Sequence, residues 1–463
     1  MRYSRLTSRT ILQQVGLSFL CLFVPAQAAP ASVLKMIIPV LASEKQIPPP
    51  PALTWGSPQR LESNTGFIWS TVQLTGDAAG NAFVTWAQQA QPDTVMRVWL
   101  NRYSVGSGWQ VAQTIDANTG YNAYTPYLTI DPTATHAGLG WREENASGYY
   151  DLYTRFYTAA NGWTEPVIIQ DQVSAVSSPI VSVDPAGNAM TAWHEGYKPA
   201  ILKARRYGAG SGWETTQVLV SNSTDISDIN LGMDTQGNAL LVWAFKPMYT
   251  YFVMASCYQS GVGWTEPQLI EPVTWPQYTN STDIQLVMLP SGAAMVVWTR
   301  EDKIWLNSYE PGNGWGTGQP ITSDVGTPGY PDVASNEAGH KVVVWQQFDG
   351  TYQSIWAKYY LPGSGWSLAR LIEKNTTGNA QRPKVAINAT GTAVVVWQQD
   401  NSGQTSVWTN HYVPGTGWSL AQAIDPANTS GTVAQSPLVT INTEGHALAV
   451  WRNEQTIWAA RSQ

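Results

Sequence analysis

From about residue 52 onward the chain is built of short runs in which apolar and polar residues alternate, each broken by a turn. Ile180-Val181-Ser182-Val183 leads into the turn Asp184-Pro185-Ala186-Gly187, then into Asn188-Ala189-Met190-Thr191-Ala192-Trp193. A third run ends on Tyr, as in Ile355-Trp356-Ala357-Lys358-Tyr359-Tyr360. After a Pro/Gly/Ser turn comes a Gly-Trp segment such as Gly417-Trp418-Ser419-Leu420-Ala421-Gln422-Ala423-Ile424. Alternation with period two sends successive side chains to opposite faces, so four such runs predict a four-stranded antiparallel meander.

The unit recurs about every 51 residues, at Trp109, Trp163, Trp213, Trp264, Trp315, Trp366 and Trp418, with Trp55 as a further copy that lacks the Gly. The second run ends on Trp eight times: Trp86, Trp141, Trp193, Trp243, Trp298, Trp345, Trp397 and Trp451. Seven copies place Gly six residues before that Trp: Gly80, Gly187, Gly237, Gly292, Gly339, Gly391 and Gly445. Asp77, Asp184, Asp234, Asn336, Asn388 or Asn442 opens the turn that each of six of these glycines closes. This is type I chemistry, with φ > 0 expected at Gly. Repeat five has Leu289 in place of the acid, and repeat two has Asp131 one residue further out and no Gly. One carboxylate per turn falls short of the six to eight oxygens that calcium takes.

Fixed-period self-similarity means one small unit copied and stacked. Eight four-stranded antiparallel sheets arranged radially make an all-β, eight-bladed β-propeller. The chain ends after a third run, Thr456-Ile457-Trp458-Ala459-Ala460-Arg461, and the repeat region begins at Leu53-Thr54-Trp55-Gly56 with a fourth-type run. The N-terminal strand, within 52–62, is therefore expected to complete the C-terminal blade, removing open sheet edges. A linear solenoid is the other arrangement, but it would need polar capping repeats, and the terminal repeats look like the middle ones.

The Asp/Asn-x-x-Gly-Asn-Ala…Trp and Gly-x-Gly-Trp runs resemble repeats of exported bacterial β-propeller proteins over about residues 52–462. Two further resemblances are distant. Asp-box sialidases carry Ser-x-Asp-x-Gly-x-Thr-Trp, whereas Ser182-Val183-Asp184-Pro185-Ala186-Gly187 has one residue too many before Gly and no matching Trp. Fucose-binding propeller lectins share Gly-x-Gly-Trp, but their blade-repeated Arg/Glu/Trp clamp has no clear counterpart here. Neither resemblance transfers site residues.

Composition narrows the picture. Charged residues are 12% of the chain, while it holds 23 Trp, 39 Gly and 29 Pro, which suits turn-rich β structure rather than disorder. Arg2, Arg5 and Arg9, the apolar stretch Ile11 to Val24 and Ala26-Gln27-Ala28 read as a cleavable secretory signal over 1–28. Gln13 and Gln14 interrupt the stretch, which disfavours a membrane anchor. Residues 29–51, ending in Pro48-Pro49-Pro50-Pro51, read as a semi-rigid spacer before a propeller at 52–463. Losing the three leader arginines would move the formal charge from −7 to −10, and no basic cluster exists to attract nucleic acid or an anionic membrane. Beyond the leader only Cys257 remains, so no intramolecular disulfide is possible, and its apolar strand suits a buried thiol.

Of the 23 Trp, only Trp69 and Trp275 lie outside repeat-equivalent positions, where packing explains the rest. Function is sought on the face formed by the inter-blade loops and the second-to-third-strand hairpins. Trp69, Tyr121, Tyr124, Trp275, Tyr278 and Tyr330 lie there beside Asn, Thr and Gln, a composition suited to the apolar faces and hydroxyl rims of sugars. Polar residues also follow the second-run Trp: Gln88, Arg142-Glu143-Glu144, His194-Glu195, Arg300, Gln346-Gln347, Gln398-Gln399 and Arg452. If the protein is an enzyme, His194, Glu195, Glu143, Arg142 and Arg300 are its candidate catalytic groups. Solvated loop charges would produce the same pattern. No metal-ligand spacing, nucleophile elbow or phosphate loop appears, so no cofactor or metal is expected. The sequence points to an exported monomer, periplasmic, cell-surface or extracellular, that binds carbohydrate or a surface glycoconjugate. A protein-interaction scaffold, and a sialidase, glycoside hydrolase or lyase type of enzyme, stay open beside it.

Overall fold

Alternating runs this short cannot bury their apolar face alone, and here each four-run unit closes into a small antiparallel sheet that packs against the next. The computed structural model describes residues 48–463 apart from 63–65, 70–71, 90–91, 93, 132, 172–176, 197–198, 224, 247–249, 273–280, 323–325, 374–377, 402 and 426–432. Residues 1–47, which include the expected leader at 1–28 and most of the expected spacer at 29–51, lie outside the described residues, as do Trp275 and Tyr278.

Eight sheets form, seven with their strands in chain order from the centre outward and the eighth with the N-terminal strand on its outer edge, and no helix occurs among the described residues. In the first blade the strands are Gln73–Gly76, Ala82–Gln89 and Met96–Ser104, followed by Gly108–Trp109 and Gln113–Thr114, which both pair with the third strand. Innermost strands pack side by side around the ring, Gln73–Gly76 touching both Ala123–Ile130 and Ala434–Ile441. The eight-bladed propeller read from the repeat is the observed fold. One detail differs: the fourth run is not one strand but two short pairings. The Gly-Trp pair meets the third strand at Tyr103↔Trp109, and the chain rejoins it at Trp99↔Thr114. After Gln110, whose N–H still donates to the Arg102 carbonyl at 2.9 Å, the chain leaves the ladder and exposes Val111 on the outer rim.

The N-terminal strand closes the ring as expected. Gln59↔Ala459 and Arg60↔Trp458 pair antiparallel, and Trp55 bridges Ser462. Glu62 Oε1 accepts the Ile457 N–H at 2.9 Å, and Leu61 is buried beneath. The turn chemistry holds too: Gly187 has φ 81°, and Asp184 Oδ1 accepts the Ala186 and Asn188 N–H groups at 2.9 Å each. In repeat two Ala134 takes the left-handed conformation at φ 57° that Gly fills elsewhere.

All eight second-run indoles are buried to 1% exposure or less. Each burial removes roughly 150–250 Å² from water, an upper bound of about 4–6 kcal/mol. Blades are also strapped to their neighbours. One position in the third strand donates to the carbonyl near the end of the preceding blade: Asn101 Nδ2 to Leu61 at 2.9 Å, Arg155 Nη1 to Ile115 at 2.9 Å, Arg205 Nη1 to Ile169 at 2.8 Å, Asn307 Nδ2 to Ile270 at 2.8 Å and Asn410 Nδ2 to Ile372 at 2.8 Å. These bonds satisfy buried carbonyls that the sheets leave open.

Candidate functional site

A buried indole must find an acceptor for its N–H or bear the cost of desolvating it. In blades one, two, three, six and seven the residue two positions after the second-run Trp supplies that acceptor. Trp86 donates to Gln88 Oε1 at 2.9 Å, Trp141 to Glu143 Oε2 at 3.0 Å, and Trp193 to Glu195 Oε1 at 2.9 Å. Trp345 donates to Gln347 Oε1 at 2.9 Å and Trp397 to Gln399 Oε1 at 3.1 Å. Where that residue is Phe245 or Arg300, the Nε1 of Trp243 or Trp298 has no partner among the described residues.

This pattern accounts for much of the polar series that follows each Trp. Glu143 is fully buried and also accepts the backbone N–H groups of Ala117 and Thr119 at 3.2 Å each. Glu195, 6% exposed, pairs with Lys203 Nζ at 2.7 Å. Arg300 is buried against Glu271 at 3.3 Å and donates to the Pro272 carbonyl at 2.7 Å. His194 is half-buried, and burial pulls its imidazole below the ordinary range against the opposing pull of Asp225, so it is neutral near pH 7. These groups fall on blades two, three and five, where Glu143, Glu195 and Arg300 are each engaged by local partners. Among the described residues, no group of three or more His, Cys, Asp or Glu converges as a metal site would require.

The exposed aromatics form a different arrangement. Trp69, 59% exposed, follows the first blade's entry segment, whose Phe67 carbonyl accepts the Gln89 N–H at 2.9 Å. Across the blade boundary, the Trp69 ring lies 5.9 Å from that of Tyr124, and Phe67 flanks it at 6.1 Å. Tyr124 in turn meets Tyr150 at 6.2 Å, and the Arg142 guanidinium lies 4.7 Å over the Tyr150 ring. Four rings thus run from blade one onto blade two.

Polar groups edge this row. Glu144 accepts from Asn122 Nδ2 at 2.9 Å and from the Tyr124 hydroxyl at 3.3 Å. Asn122 Oδ1 accepts the Met96 N–H at 2.9 Å, so its amide is held at both ends. Burial, and then the Glu144 charge, push the Tyr124 phenol up to about 12, which keeps it a neutral donor across the physiological range. An apolar shelf with a fixed carboxylate, amide, phenol and guanidinium along its rim can stack a ring and hydrogen-bond its substituents.

The structure joins Trp69 and Tyr124 and adds Phe67 and Tyr150, which sequence reasoning left out. Tyr150 opens the third strand of blade two, and Phe67 sits two residues before Trp69. Tyr121 is 41% exposed in the loop three residues before Tyr124, which itself lies in the inner strand Ala123–Ile130. Tyr330 is not part of the row. It lies in the sixth blade at a break in inner-strand register between Gly329 and Asp332, with φ 50°, and the Arg382 guanidinium is 5.7 Å from its ring. The same break recurs at Thr125, Asp228, Asp283, Arg382 and Ser436, each with positive φ.

No protein-family model matches the sequence, and no curated protein matches it. Solved structures do. A lectin from Burkholderia pseudomallei is similar over 77% of this chain and 99% of its own, at 11% identity and a TM-score of 0.50. The sialidase NanB of Streptococcus pneumoniae is similar over 89% of this chain and 92% of its own, at 9% identity and a TM-score of 0.40. An ulvan lyase covers 71% of this chain and 90% of its own, at 8% identity and a TM-score of 0.46. At these identities, the likeness to the lectin is one of fold.

Proposed function

We propose that this chain is an exported, monomeric binding module for carbohydrate or a cell-surface glycoconjugate, and that ligand docks on the Phe67, Trp69, Tyr124 and Tyr150 shelf. The observation that carries the reading is the contact between Trp69 and Tyr124 across a blade boundary. An indole 59% exposed, outside every repeat position, lies tilted against a phenol held by Glu144. Packing explains the other described indoles, whereas this one contributes little to the core. The fold shared with a lectin agrees with the reading and does not by itself specify it.

The test is a broad glycan-array screen of purified residues 29–463, repeated with Trp69→Ala and Tyr124→Ala. Expected is saturable binding to a restricted set of glycans, weakened at least about tenfold by Trp69→Ala, with the melting temperature within about 1 °C of the parent. Binding that both variants retain in full, or a blank array, refutes the shelf as a saccharide site.

A further inference from the structure

On the ring's flank, the third and fourth strands of blade one and the outer strands of blade two line a groove. The groove between blades one and two opens into a cavity of about 400 Å³. Phe83, Tyr157 and Trp163 form its aromatic wall, with ring centroids 5.1 to 5.8 Å apart. Arg102 and Arg155 line the same cavity.

Their partners leave charge unanswered. The Arg102 guanidinium is fixed 5.3 Å from the Phe83 ring and 5.4 Å from the Tyr157 ring, and its Nη1 donates to the Tyr157 hydroxyl at 2.8 Å. Its Nε is buried with no hydrogen-bond partner among the described residues. Arg155 spends Nε and Nη1 on the Thr164 and Ile115 carbonyls. The carboxylate nearest to its Nη2 is Glu165, 3.8 Å away with a side chain 94% exposed, a pairing that water screens. Asp116 acts on Arg155 from further off and is engaged by Arg97 at 3.1 Å.

Register makes this groove exceptional. The position of Arg102 is held by Phe156, Arg206, Cys257, Ser308, Tyr359, His411 and Arg461 in the following blades. The position of Arg155 is held by Asn101, Arg205, Ser256, Asn307, Lys358, Asn410 and Ala460. Of the eight blade boundaries, only the first has arginine at both positions, and both side chains line the one cavity. Elsewhere Arg206 is neutralised by Glu214 at 2.7 Å, and Arg461 faces His446. Two planar cations held by packing, an aromatic wall and a concave volume form a preorganised receptor for an oxyanion attached to a ring-sized body.

We propose that the groove between blades one and two is a second, anion-selective binding site, which takes a carboxylate or sulfate group carried by a small ring such as an acidic sugar unit. The anion bridges Arg102 and Arg155, while the body of the ligand lies against Trp163. The site is separate from the aromatic shelf and stands whether or not the shelf binds saccharide.

Titration of the purified chain, followed by calorimetry, tests it with glucuronate, glucose 6-sulfate and uncharged glucose as probes. Saturable binding of one or both anions, none of glucose, and weakening by salt are expected; which anion binds separates carboxylate from sulfate recognition. Arg155→Gln should weaken binding at least about tenfold. Because Arg155 also straps two blades, Val111→Glu serves as the second variant. Val111 lines the same cavity but is 89% exposed, so a carboxylate there repels the anion without disturbing the core. Trp69→Ala should leave anion binding intact. Equal affinity for glucose and the anions, no binding of either anion, or unchanged affinity in Val111→Glu overturns the proposal.

Discussion

Gln399→Leu is the sharpest probe of how the blades are held together. Gln399 is fully buried, accepts the Trp397 indole N–H at 3.1 Å and donates to the Gly378 carbonyl at 3.1 Å. Leucine has a similar size and neither polar function, so the substitution strands a buried donor and a buried acceptor. Each unsatisfied group costs about 1–3 kcal/mol, which places the loss at about 2–6 kcal/mol. The unit from Pro49 to Gln463 is roughly 415 residues, which implies an unfolding entropy of about 0.9 kcal/mol per kelvin near the midpoint. The melting temperature should therefore fall by about 2–7 °C, read by near-ultraviolet circular dichroism at one fixed scan rate. An internal control isolates the indole bond. Trp397→Phe removes a satisfied N–H and strands Gln399, whereas Trp298→Phe removes an N–H that has no partner among the described residues. Trp397→Phe should be the more damaging of the two by about 1 kcal/mol or more. A Gln399→Leu protein that melts within about 1 °C of the parent, or the reverse order of the two Trp variants, would refute the argument that these polar residues serve as indole partners.

Three further outcomes follow from local features. Burial pushes the Glu373 carboxyl up from 4.5 to about 7, so the folded state binds a proton that the unfolded chain has released. Its stabilising contribution is complete below about pH 4.5 and is lost as pH rises through about 7; Glu373→Gln should flatten the dependence of melting temperature on pH across that window. Ala134→Gly relieves a left-handed alanine at φ 57° and should stabilise by about 1 kcal/mol, raising the melting temperature by about 1 °C; a drop would contradict this. Removing residues up to 62 strips Trp55, Gln59, Arg60 and Leu61 from the last blade and bares the Thr456–Arg461 edge. Concentration-dependent aggregation in light scattering is expected, and a monodisperse, equally stable product would refute closure as a source of stability.

Repetition determined the fold. Alternation with period two, turn glycines six residues before each second-run Trp, and eight copies of that Trp leave few arrangements that bury every blade face, and the offset of the termini specifies which strand closes the ring. These are local rules applied eight times, so each copy checks the others. The conformation of Ala134 follows from the same rule, because a missing turn Gly forces its substitute to φ > 0. What sequence could not decide is which residues of different blades meet. Glu143 and Gln399 look like solvent-facing polar residues in the chain, yet a two-residue offset on a strand returns their side chains to the indole they follow, and neighbouring blades bury them. Trp69 and Tyr124 are 55 positions apart and become neighbours only across a blade boundary. Arg102 and Arg155 belong to ordinary-looking third strands, and only the packing of one blade on the next turns them toward a common cavity. Contacts within a repeat are set by spacing; contacts between repeats depend on twist and tilt that no residue pattern encodes alone.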